Sequence, residues 1–418
     1  MSRRRRVSSG ATSLVHQGQL ASFVTFTRAS SKTYFDSAGV MQTAATNVPA
    51  NHFLQDGSLQ NGYYHEGTRT NECEQSDDLA NWTAAGSGAS VTASSVANSR
   101  LGEMWEIDEG TGTGTNVLES KQTDTGTVSG TTRTYSFYAK AGTADLFLIT
   151  PKNGFYGTAN FDNIVQVDLS SETITAINFS TYDSGSITDI GDGIYYCEFT
   201  YTPGSTGSGF RVFSIQCVGA AGSGGVDYTA TGRTFFISKP QIEIGVSFAS
   251  SYIPTGTGTS TVTRATDVAT VDLTAVSFFN AVEGTIYIEA TGQTDASRAF
   301  WELNDGTANN RISTKWNSSA AAIRLLSVDS ASTVVNEGSE SWDGSMIKIA
   351  SSYKLNDYAI AVAGNAAEDD TTASVPTGLT TLQIGSSQAD GDLFGIIPNL
   401  RYYSPKISPN SNLQVLTT

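Results

Sequence analysis

The chain has 418 residues, of which 39% are hydrophobic and 15% are charged, and its formal net charge at pH 7 is −16. This acidic balance disfavours a nucleic-acid partner, because phosphate binding requires a surplus of Lys and Arg on one face. No run of about 20 apolar residues predicts a membrane span, and the three cysteines are too scattered to indicate a disulfide framework or a zinc site.

The first 20 residues are predicted to form a flexible tail, which contains the basic run Arg3, Arg4, Arg5 and Arg6. This run has two interpretations, a solvated terminus or a segment that binds an acidic surface on a partner protein. Within residues 21–75, apolar and polar side chains alternate from Phe23 to Tyr34, and Asp36, Ser37 and Gly39 then supply a turn. This segment is predicted to form an N-terminal β-arm that is too short to fold alone.

Residues 76–255 contain many short strand-like runs, separated by clusters of Gly, Ser, Asp and Thr. Short strands with small turn residues and no helical periodicity are typical of two packed antiparallel sheets in a sandwich or jelly roll. Residues 256–276 are rich in Thr and Gly and have few large apolar side chains, so they are predicted to form a linker.

Residues 277–418 repeat the strand-and-turn pattern and predict a second sandwich. In this part, "YKLNDYAIAV" predicts a hairpin that turns at Asn356 and Asp357. Near the end, Ser408 as N-cap and Pro409 at the first helical position predict one short helical turn. The sequence therefore predicts an all-β protein with two antiparallel β-sandwich modules, jelly-roll or concanavalin A-like, preceded by an extended N-terminal arm.

The tripeptide Thr-Arg-Ala occurs twice, at residues 27–29 and at residues 263–265. Each copy lies in an extended polar segment that precedes one of the predicted sandwiches. An Arg in such a lead-in strand can bond the carbonyls or carboxylates of the adjoining module. We therefore expect Arg28 and Arg264 in structural salt bridges rather than at a ligand.

Several stretches resemble phage virion fibre and tail proteins that carry laminin-G or concanavalin A-like lectin domains. They are "FTRASSKTYFDSAGVMQTAATNVP", "ISKPQIEIGVSFASSYIPTGTGTSTVTRATDVATV" and the set "FWELNDGTANNRI", "KIASSYKLNDYAIAVAG", "TTLQIGSSQADGDLFGIIPNLRYYSP" and "NLQVLTT". Together they extend over most of residues 23–418. The sequence departs from related ones at Ala50 and Pro398, where a basic residue is common.

This resemblance implies a virion structural protein, made in the host cytoplasm and present on the particle as a tail fibre or fibre-like adhesin. Its N-terminal arm would attach to other virion proteins of the tail, connector or capsid, with Arg28 joining the tail arginines in that contact. Its sandwiches would contact host-surface polysaccharide, and the chain would form a homotrimer. Two alternatives stay open: a capsid decoration or head fibre that binds no glycan, and a polysaccharide depolymerase.

Sugar binding requires an aromatic platform beside polar groups, because sugars present apolar C–H faces and a ring of hydroxyls. The candidate platforms are Trp82 in the first sandwich and Trp301, Trp316 and Trp342 in the second; the alternative for each is core packing. The loops "NDGTANN" and "SQADGDLFG" carry polar oxygen ligands of the kind that Ca²⁺ prefers. Their carboxylates are candidates for such a site or, alternatively, simple turn formers: Asp305, Asp390 and Asp392.

No catalytic pattern stands out in the sequence. All three histidines lie at or before residue 65, and none is near a nucleophile motif. Nucleophile elbows, phosphate-binding Gly loops and HExxH are absent. Carboxylate pairs carry no signal in a chain this acidic. The sequence therefore predicts a protein that is not an enzyme and that requires no cofactor other than the candidate Ca²⁺.

Overall fold

The computed structural model describes residues 10–53, 61–85, 91–115, 117–120, 130–150, 164–177, 182–202, 214–217 and 227–418. Within these ranges the protein consists of β-strands and turns, with one 3₁₀-helix and one short α-helix. The prediction of an all-β fold is confirmed. In the same ranges, no helix is long and apolar enough to cross a membrane.

The N-terminal segment, residues 10–71, contributes eight short strands. They are β1 (Ala11–His16), β2 (Gln19–Leu20), β3 (Thr25–Thr27), β4 (Lys32–Phe35), β5 (Met41–Ala44), β6 (Asn51–Phe53), β7 (Asn61–His65) and β8 (Arg69–Asn71). β4 and β5 form a hairpin closed by the turn at Asp36, whose carboxylate accepts the backbone N–H groups of Ala38 and Val40. This Asx-type turn is the one that the sequence indicates.

The first sandwich follows a 3₁₀-helix at Leu79–Asn81. Its strands are β9 (Thr83–Ala85), β10 (Thr92–Asn98), β11 (Gly102–Asp108), β12 (Thr113–Thr115), β13 (Val117–Glu119), β14 (Arg133–Ala141), β15 (Leu146–Ile149), β16 (Ile164–Asp168), β17 (Thr173–Ile177), β18 (Tyr182–Gly191), β19 (Ile194–Tyr201), β20 (Ser214–Cys217), β21 (Asp227–Thr229) and β22 (Thr234–Ile244).

Two six-stranded antiparallel sheets form this sandwich, in the orders β10-β11-β22-β14-β19-β18 and β17-β16-β15-β20-β13-β9. Alternate side chains of the two sheets meet in one apolar core. Phe147 and Phe235 stack across it with ring centroids 4.5 Å apart, and Phe137 packs edge-on against Phe147. Aromatic burial of this kind dominates the stability of a sandwich core.

The second sandwich is formed by the C-terminal strands together with part of the N-terminal segment. The C-terminal elements are β23 (Val262–Arg264), β24 (Val268–Asp272), β25 (Glu283–Ala290), β26 (Arg298–Asn304), β27 (Arg311–Asn317), β28 (Ala322–Asp329), β29 (Ser332–Glu337), β30 (Ile347–Lys354), β31 (Tyr358–Val362), β32 (Glu368–Asp370), β33 (Thr381–Ile384), β34 (Gly395–Ile397), β35 (Asn399–Tyr403) and α1 (Ser411–Thr417).

The seven-stranded sheets of this sandwich have the orders β2-β1-β35-β25-β30-β31-β32 and β29-β28-β27-β26-β33-β24-β3. Residues 11–27 therefore pair with strands that lie far along the chain. Residues 11–20, predicted as part of a flexible tail, instead form β1 and β2, and Leu14 and Val15 are fully buried in the core. Residues 1–9, which include Arg3, Arg4, Arg5 and Arg6, lie outside the described residues.

The segment predicted as a linker, residues 256–276, also contains strands. β23 pairs with β8, and β24 lies between β33 and β3. Ala269 and Val271 point into the core of the second sandwich because side chains alternate along a strand. Buried and less buried side chains alternate along β24. The Thr-rich composition of this segment does not reveal that alternation, which follows from the strand register.

Two local predictions are confirmed in the second sandwich. β30 and β31 form the expected hairpin, and Asn356 occupies the left-handed region at the turn with φ of 54°. The C-terminal helix is present, although its N-cap is Asn410 and not Ser408. Leu413 anchors the helix in a small apolar cluster on the outer side of the sheet.

Candidate binding cleft and the buried charges beside it

The outer face of the first sandwich carries aromatic and polar side chains from β14 and β19. Tyr138 and Tyr196 are register partners on this face, and Glu198 follows Tyr196 at a spacing of two. Phe137, which precedes Tyr138, and Cys197, which follows Tyr196, point into the core instead. This alternation follows from the pleat, because successive side chains of a strand point to opposite faces.

The N-terminal segment lies against this face and forms a cleft with it. The Thr33 hydroxyl on β4 donates to the carbonyl oxygen of Tyr252 at 2.6 Å, which fixes β4 beside the segment that follows β22, the last strand of the first sandwich. Phe35 on the same strand packs edge-on against Tyr138, with centroids 6.0 Å apart. The cleft therefore exists only because the N-terminal segment folds back over the sandwich.

Five rings form a continuous series along the cleft, which we call the aromatic row: Tyr196, Tyr138, Phe35, His52 and Tyr64. Successive ring centroids are 5.3, 6.0, 6.1 and 4.7 Å apart. Tyr138 and Phe35 are buried, whereas the other three rings are partly exposed. The rings beneath support the exposed ones, so the row offers a rigid aromatic surface.

The aromatic row borders a first cavity of about 310 Å³. Its rim includes Lys239, which lies at a β-bulge in β22 and has φ of 54°. Two residues of β22 oppose one of β14 at this point, and such a bulge redirects a side chain. Lys239 forms an ion pair with Asp77, with Nζ and Oδ1 3.2 Å apart.

Glu198 is the carboxylic acid of the first cavity. Burial raises its pKa to about 7, although hydrogen bonds from the Tyr196 hydroxyl and the Ala249 N–H group oppose the shift. The two donors lie 3.1 and 3.2 Å from the carboxyl oxygens. A carboxyl group with this pKa is partly protonated at neutral pH, so it can both donate and accept hydrogen bonds.

His52 is a neutral member of the aromatic row. Burial lowers its pKa to about 4. The Phe35 N–H group donates to its Nδ1 at 3.2 Å, which assigns the remaining ring proton to Nε2. At neutral pH the ring therefore supplies a flat face and one N–H donor without a charge.

A cluster of buried charges lies on the other side of Tyr64, and we call it the junction cluster: Arg28, Lys32, Glu66, Arg264 and Asp267. Asp267 bonds Arg28 at 2.9 Å and Lys32 at 2.6 Å, while Glu66 bonds Lys32 at 3.1 Å and Arg264 at 3.0 Å. All five side chains are at most 1% exposed. They join the N-terminal segment to the chain that enters the second sandwich.

Both carboxylates of the junction cluster stay ionised. Burial alone would raise the pKa of Glu66, but Arg264 and Lys32 together hold it well below its usual range. Burial likewise opposes the ionisation of Asp267, and Lys32 lowers the pKa of that carboxyl. The Ser251 N–H and hydroxyl groups also donate to Glu66, at 2.8 and 2.6 Å. Each carboxylate therefore has cations and hydrogen-bond donors that offset its desolvation.

The two Thr-Arg-Ala copies meet in this cluster. Arg28 bonds Asp267 and the carbonyl oxygens of Ala45 and Val48, and Arg264 bonds Glu66 and the carbonyl oxygen of Gly67. The prediction that these arginines form structural salt bridges is confirmed. The assignment of Arg28 to particle attachment stays a prediction; its side chain is fully buried in this structure.

The four tryptophans predicted as sugar platforms are core residues. Trp82, Trp301, Trp316 and Trp342 are 5%, 1%, 5% and 7% exposed. Trp316 and Trp342 pack edge-on at 6.0 Å, and their indole N–H groups donate to the carbonyl oxygens of Thr294 and Ser345. The sequence shows a large ring beside polar loops, but sheet register decides which face the ring takes.

The three aspartates proposed for Ca²⁺ are engaged by different partners. Asp305 accepts the Thr307 N–H and the Asn310 amide at 2.8 Å each, in a turn. Asp390 bonds Lys315 at 2.9 Å, and Asp392 bonds the buried His65 at 3.2 Å. Among the described ranges, no group of three or more His, Cys, Asp or Glu side chains has metal-binding geometry. These aspartates do not form a common site.

Sequence reasoning overlooked the aromatic row because its members come from five strands in two distant parts of the chain. One signal was available in "IYYCEFTY", where Tyr196 and Glu198 alternate with Cys197 and Phe199. That pattern places an aromatic and a carboxyl on the face opposite the core. The strands that cover this face had no comparable signal.

No protein-family model matches the sequence, and a search of curated proteins found no similar one. Among solved structures, the chain resembles the CBM40 domain of the Ruminococcus gnavus IT-sialidase bound to α2,3-sialyllactose, with 14% identity, a TM-score of 0.30, and coverage of 36% of this chain and 93% of the other.

Two further similar structures are larger. Mouse laminin α1 domains LG4-5 share 10% identity over 68% of this chain and 86% of that one, with a TM-score of 0.25. Trypanosoma rangeli sialidase with the inhibitor DANA shares 10% identity over 90% and 67%, with a TM-score of 0.29. At these identities and TM-scores, the likenesses assign neither a family nor a function to this chain.

Proposed function

We propose that the protein is a phage virion structural protein, a tail fibre or fibre-like adhesin, that binds a host-surface glycan in the cleft between the N-terminal segment and the first sandwich. The virion assignment rests on the sequence resemblance of residues 23–418 to fibre and tail proteins. The glycan assignment rests on the aromatic row. The cleft replaces the tryptophans as the proposed site, because those are buried.

The aromatic row is the observation that carries the binding proposal. Sugar rings stack their C–H faces on aromatic rings while their hydroxyls bond neighbouring polar groups. Tyr196 and Tyr64 present partly exposed rings, and Glu198 and His52 add hydrogen-bonding groups at the same wall. The first cavity, at about 310 Å³, is within the size range of small-ligand sites.

Binding without hydrolysis is the activity that the cleft supports. Glycosidases of the common type hold two carboxyl groups at either side of the scissile bond. Among the described residues that line the first cavity, Glu198 is the only Asp or Glu side chain. Burial also raises the pKa of the Tyr196 hydroxyl well above its usual range, which disfavours it as a nucleophile.

Attachment to the particle is proposed for the N-terminal basic run, Arg3, Arg4, Arg5 and Arg6, through an acidic surface on another virion protein. A homotrimer would repeat the cleft around a symmetry axis and would strengthen weak sugar contacts through avidity. If the protein is instead a capsid decoration, the cleft binds no glycan, and the same binding experiment distinguishes the two.

The test is a glycan array with host-envelope polysaccharides, comparing the wild-type chain with Tyr196→Ala and Tyr195→Ala. Tyr195 precedes Tyr196 on β19, but its side chain packs against the opposite, core-facing side. We expect Tyr196→Ala to abolish array signal and Tyr195→Ala to retain it. Absence of wild-type binding, or equal binding by Tyr196→Ala, contradicts the proposal. Release of new reducing ends from a bound polysaccharide would instead identify a depolymerase.

A further inference from the structure

A second cavity lies next to the first one, at the edge of the second sandwich. The second cavity has a volume of about 550 Å³, and it shares Tyr64, His52 and Gln293 with the first. Its other walls belong to the second sandwich and include Ser345, Met346 and Ile396. The aromatic row therefore ends where the second cavity begins, with Tyr64 and His52 between the two spaces.

The two cavities lie on either side of a rigid boundary. The Tyr64 hydroxyl donates a hydrogen bond to Glu66 at 2.9 Å, and Lys32 Nζ lies 4.0 Å from the centre of the Tyr64 ring. His52 stacks on the same ring at 4.7 Å and is fixed through its Nδ1. Because the junction cluster holds Tyr64 from behind, the ring face that separates the cavities is fixed before any ligand binds.

The charges that line both cavities leave no free cation for an acidic sugar. Among the described lining residues, the ionisable groups with a cationic form are Lys239 and His52. Lys239 is paired with Asp77, and burial keeps His52 neutral at pH 7. Among the same described lining residues, Glu198 is the only carboxyl group. A carboxylated or sulfated sugar would therefore meet a partly ionised carboxyl without a compensating positive charge.

We propose that the cleft binds a neutral, linear oligosaccharide that passes over Tyr64 and His52 and occupies both cavities, so that both sandwiches contribute to one binding site. This inference rests on the proposed glycan binding and specifies its ligand. Tyr196 contacts the part of the chain in the first cavity, and Met346 contacts the part in the second. The amide of Gln293, which lines both cavities, supplies a donor and an acceptor at the crossing point.

The experiment is titration calorimetry on the full chain with oligosaccharide series from monomer to hexamer. The neutral probes are isomalto-, cello- and N-acetylated chito-oligosaccharides, and the anionic probes are oligosialic acid and alginate oligomers. We expect a neutral series to bind, with affinity that rises about tenfold or more from the shortest bound member to the hexamer. Anionic oligomers of equal length should bind more weakly.

Variants assign the two cavities. Tyr196→Ala should weaken binding at every length, whereas Met346→Ala should weaken only the longer oligomers, by about threefold to tenfold. Val282→Ala is the control, because Val282 is exposed on the second sandwich and lines neither cavity. Length-independent affinity, an unaffected Met346→Ala variant, or tighter anionic binding overturns this inference while glycan binding itself stands. Absence of binding to every probe, or insensitivity to Tyr196→Ala, overturns the proposed function as well.

Discussion

Glu66 and Glu198 are both largely shielded from solvent, yet their pKa values are shifted in opposite directions. Glu66 contacts two cations, and its pKa lies well below the usual range of a carboxyl group, mainly through Arg264 and Lys32 against the effect of burial. Glu198 contacts no cation in the described residues, and burial raises its pKa to about 7. The two cations beside Glu66, and their absence beside Glu198 among the described residues, account for the opposite pKa shifts of these two carboxyl groups.

The two carboxyl groups also differ in role: Glu66 belongs to a cluster that stabilises the fold, whereas Glu198 lines the proposed binding cavity. The junction cluster uses every charge internally, between backbone carbonyls, hydroxyls and ion pairs, so none of its charges is available to a ligand. Glu198 has two hydrogen-bond donors and an adjacent cavity. A buried carboxyl without a cation beside an open space is a typical feature of functional sites.

Removing the charge of Asp267 should destabilise the protein most. Asp267→Asn leaves Arg28 and Lys32 without one of their carboxylates inside the fold, and breaking a buried pair from one side costs about 3–5 kcal/mol. Chemical denaturation at pH 7 measures the change. Asp272→Asn is the matched control, since Asp272 is exposed at the end of β24, the strand that begins immediately after Asp267. A loss equal to that of the control would show that the junction cluster contributes nothing to stability.

Glu66→Gln should destabilise the protein in a pH-dependent manner. The folded-state pKa of Glu66 is depressed, so its ionised form stabilises the fold above the unfolded value near 4.5. The deficit of the variant relative to wild type should therefore be fully present at pH 7, at about 2–4 kcal/mol. It should shrink as the pH falls below about 4.5. Denaturation curves across this range test the sign, and a pH-independent deficit would argue against the ionised assignment.

Glu198→Gln should have the opposite effect. Its folded-state pKa is raised from 4.5 to about 7, so the folded state binds the proton more tightly and wild-type stability falls as the pH rises through this interval. The neutral Gln avoids that loss. The variant should gain relative to wild type between pH 4.5 and 7 and remain about 1–3 kcal/mol more stable at pH 8. A variant that is less stable than wild type at pH 8 would contradict the unpaired state of Glu198.

The smallest effect on glycan binding is expected at a buried tryptophan outside the cleft. Trp342→Phe keeps an aromatic ring against Phe300 and Trp316 but loses the N–H bond to the Ser345 carbonyl. It should destabilise the protein by about 1–3 kcal/mol. In the folded variant, glycan affinity should change by less than about twofold. Calorimetry at a temperature well below unfolding measures this, and a large loss of affinity would return Trp342 to the list of binding residues.

Local patterns were sufficient to predict the sandwiches, because a period of two and small turn residues are encoded within a few positions. The hairpin at Asn356 and the turn at Asp36 are of this kind. The partners of β1 and β3 were not predictable in the same way. Nothing in residues 11–27 specifies that they pair with strands hundreds of positions away. The alternation of apolar and polar side chains predicts which face of a strand is buried, but not which strand pairs with it.

The site shows the same division. The role of Arg28 and Arg264 followed from an Arg in an extended segment beside a module, and the structure confirms it. For the tryptophans, the sequence left both a sugar platform and core packing open, because a large ring beside a polar loop fits the surface and the core equally well until the sheet register is known. The cleft required knowledge that β4, β6 and β7 cover β14 and β19. That arrangement is a tertiary property with no local signal.

The position of β1 between β2 and β35 also has a consequence for folding on the ribosome. Strands β9–β22 of the first sandwich lie within one continuous stretch of chain, so that module can form while synthesis continues. In contrast, β1 can pair with β35 only after Tyr403, the register partner of Ala11, has been synthesised. Closing so long a loop is slow, and until β35 emerges the edge of β1 lacks its partner. This interval is the stage at which nascent chains are most exposed to edge-to-edge aggregation.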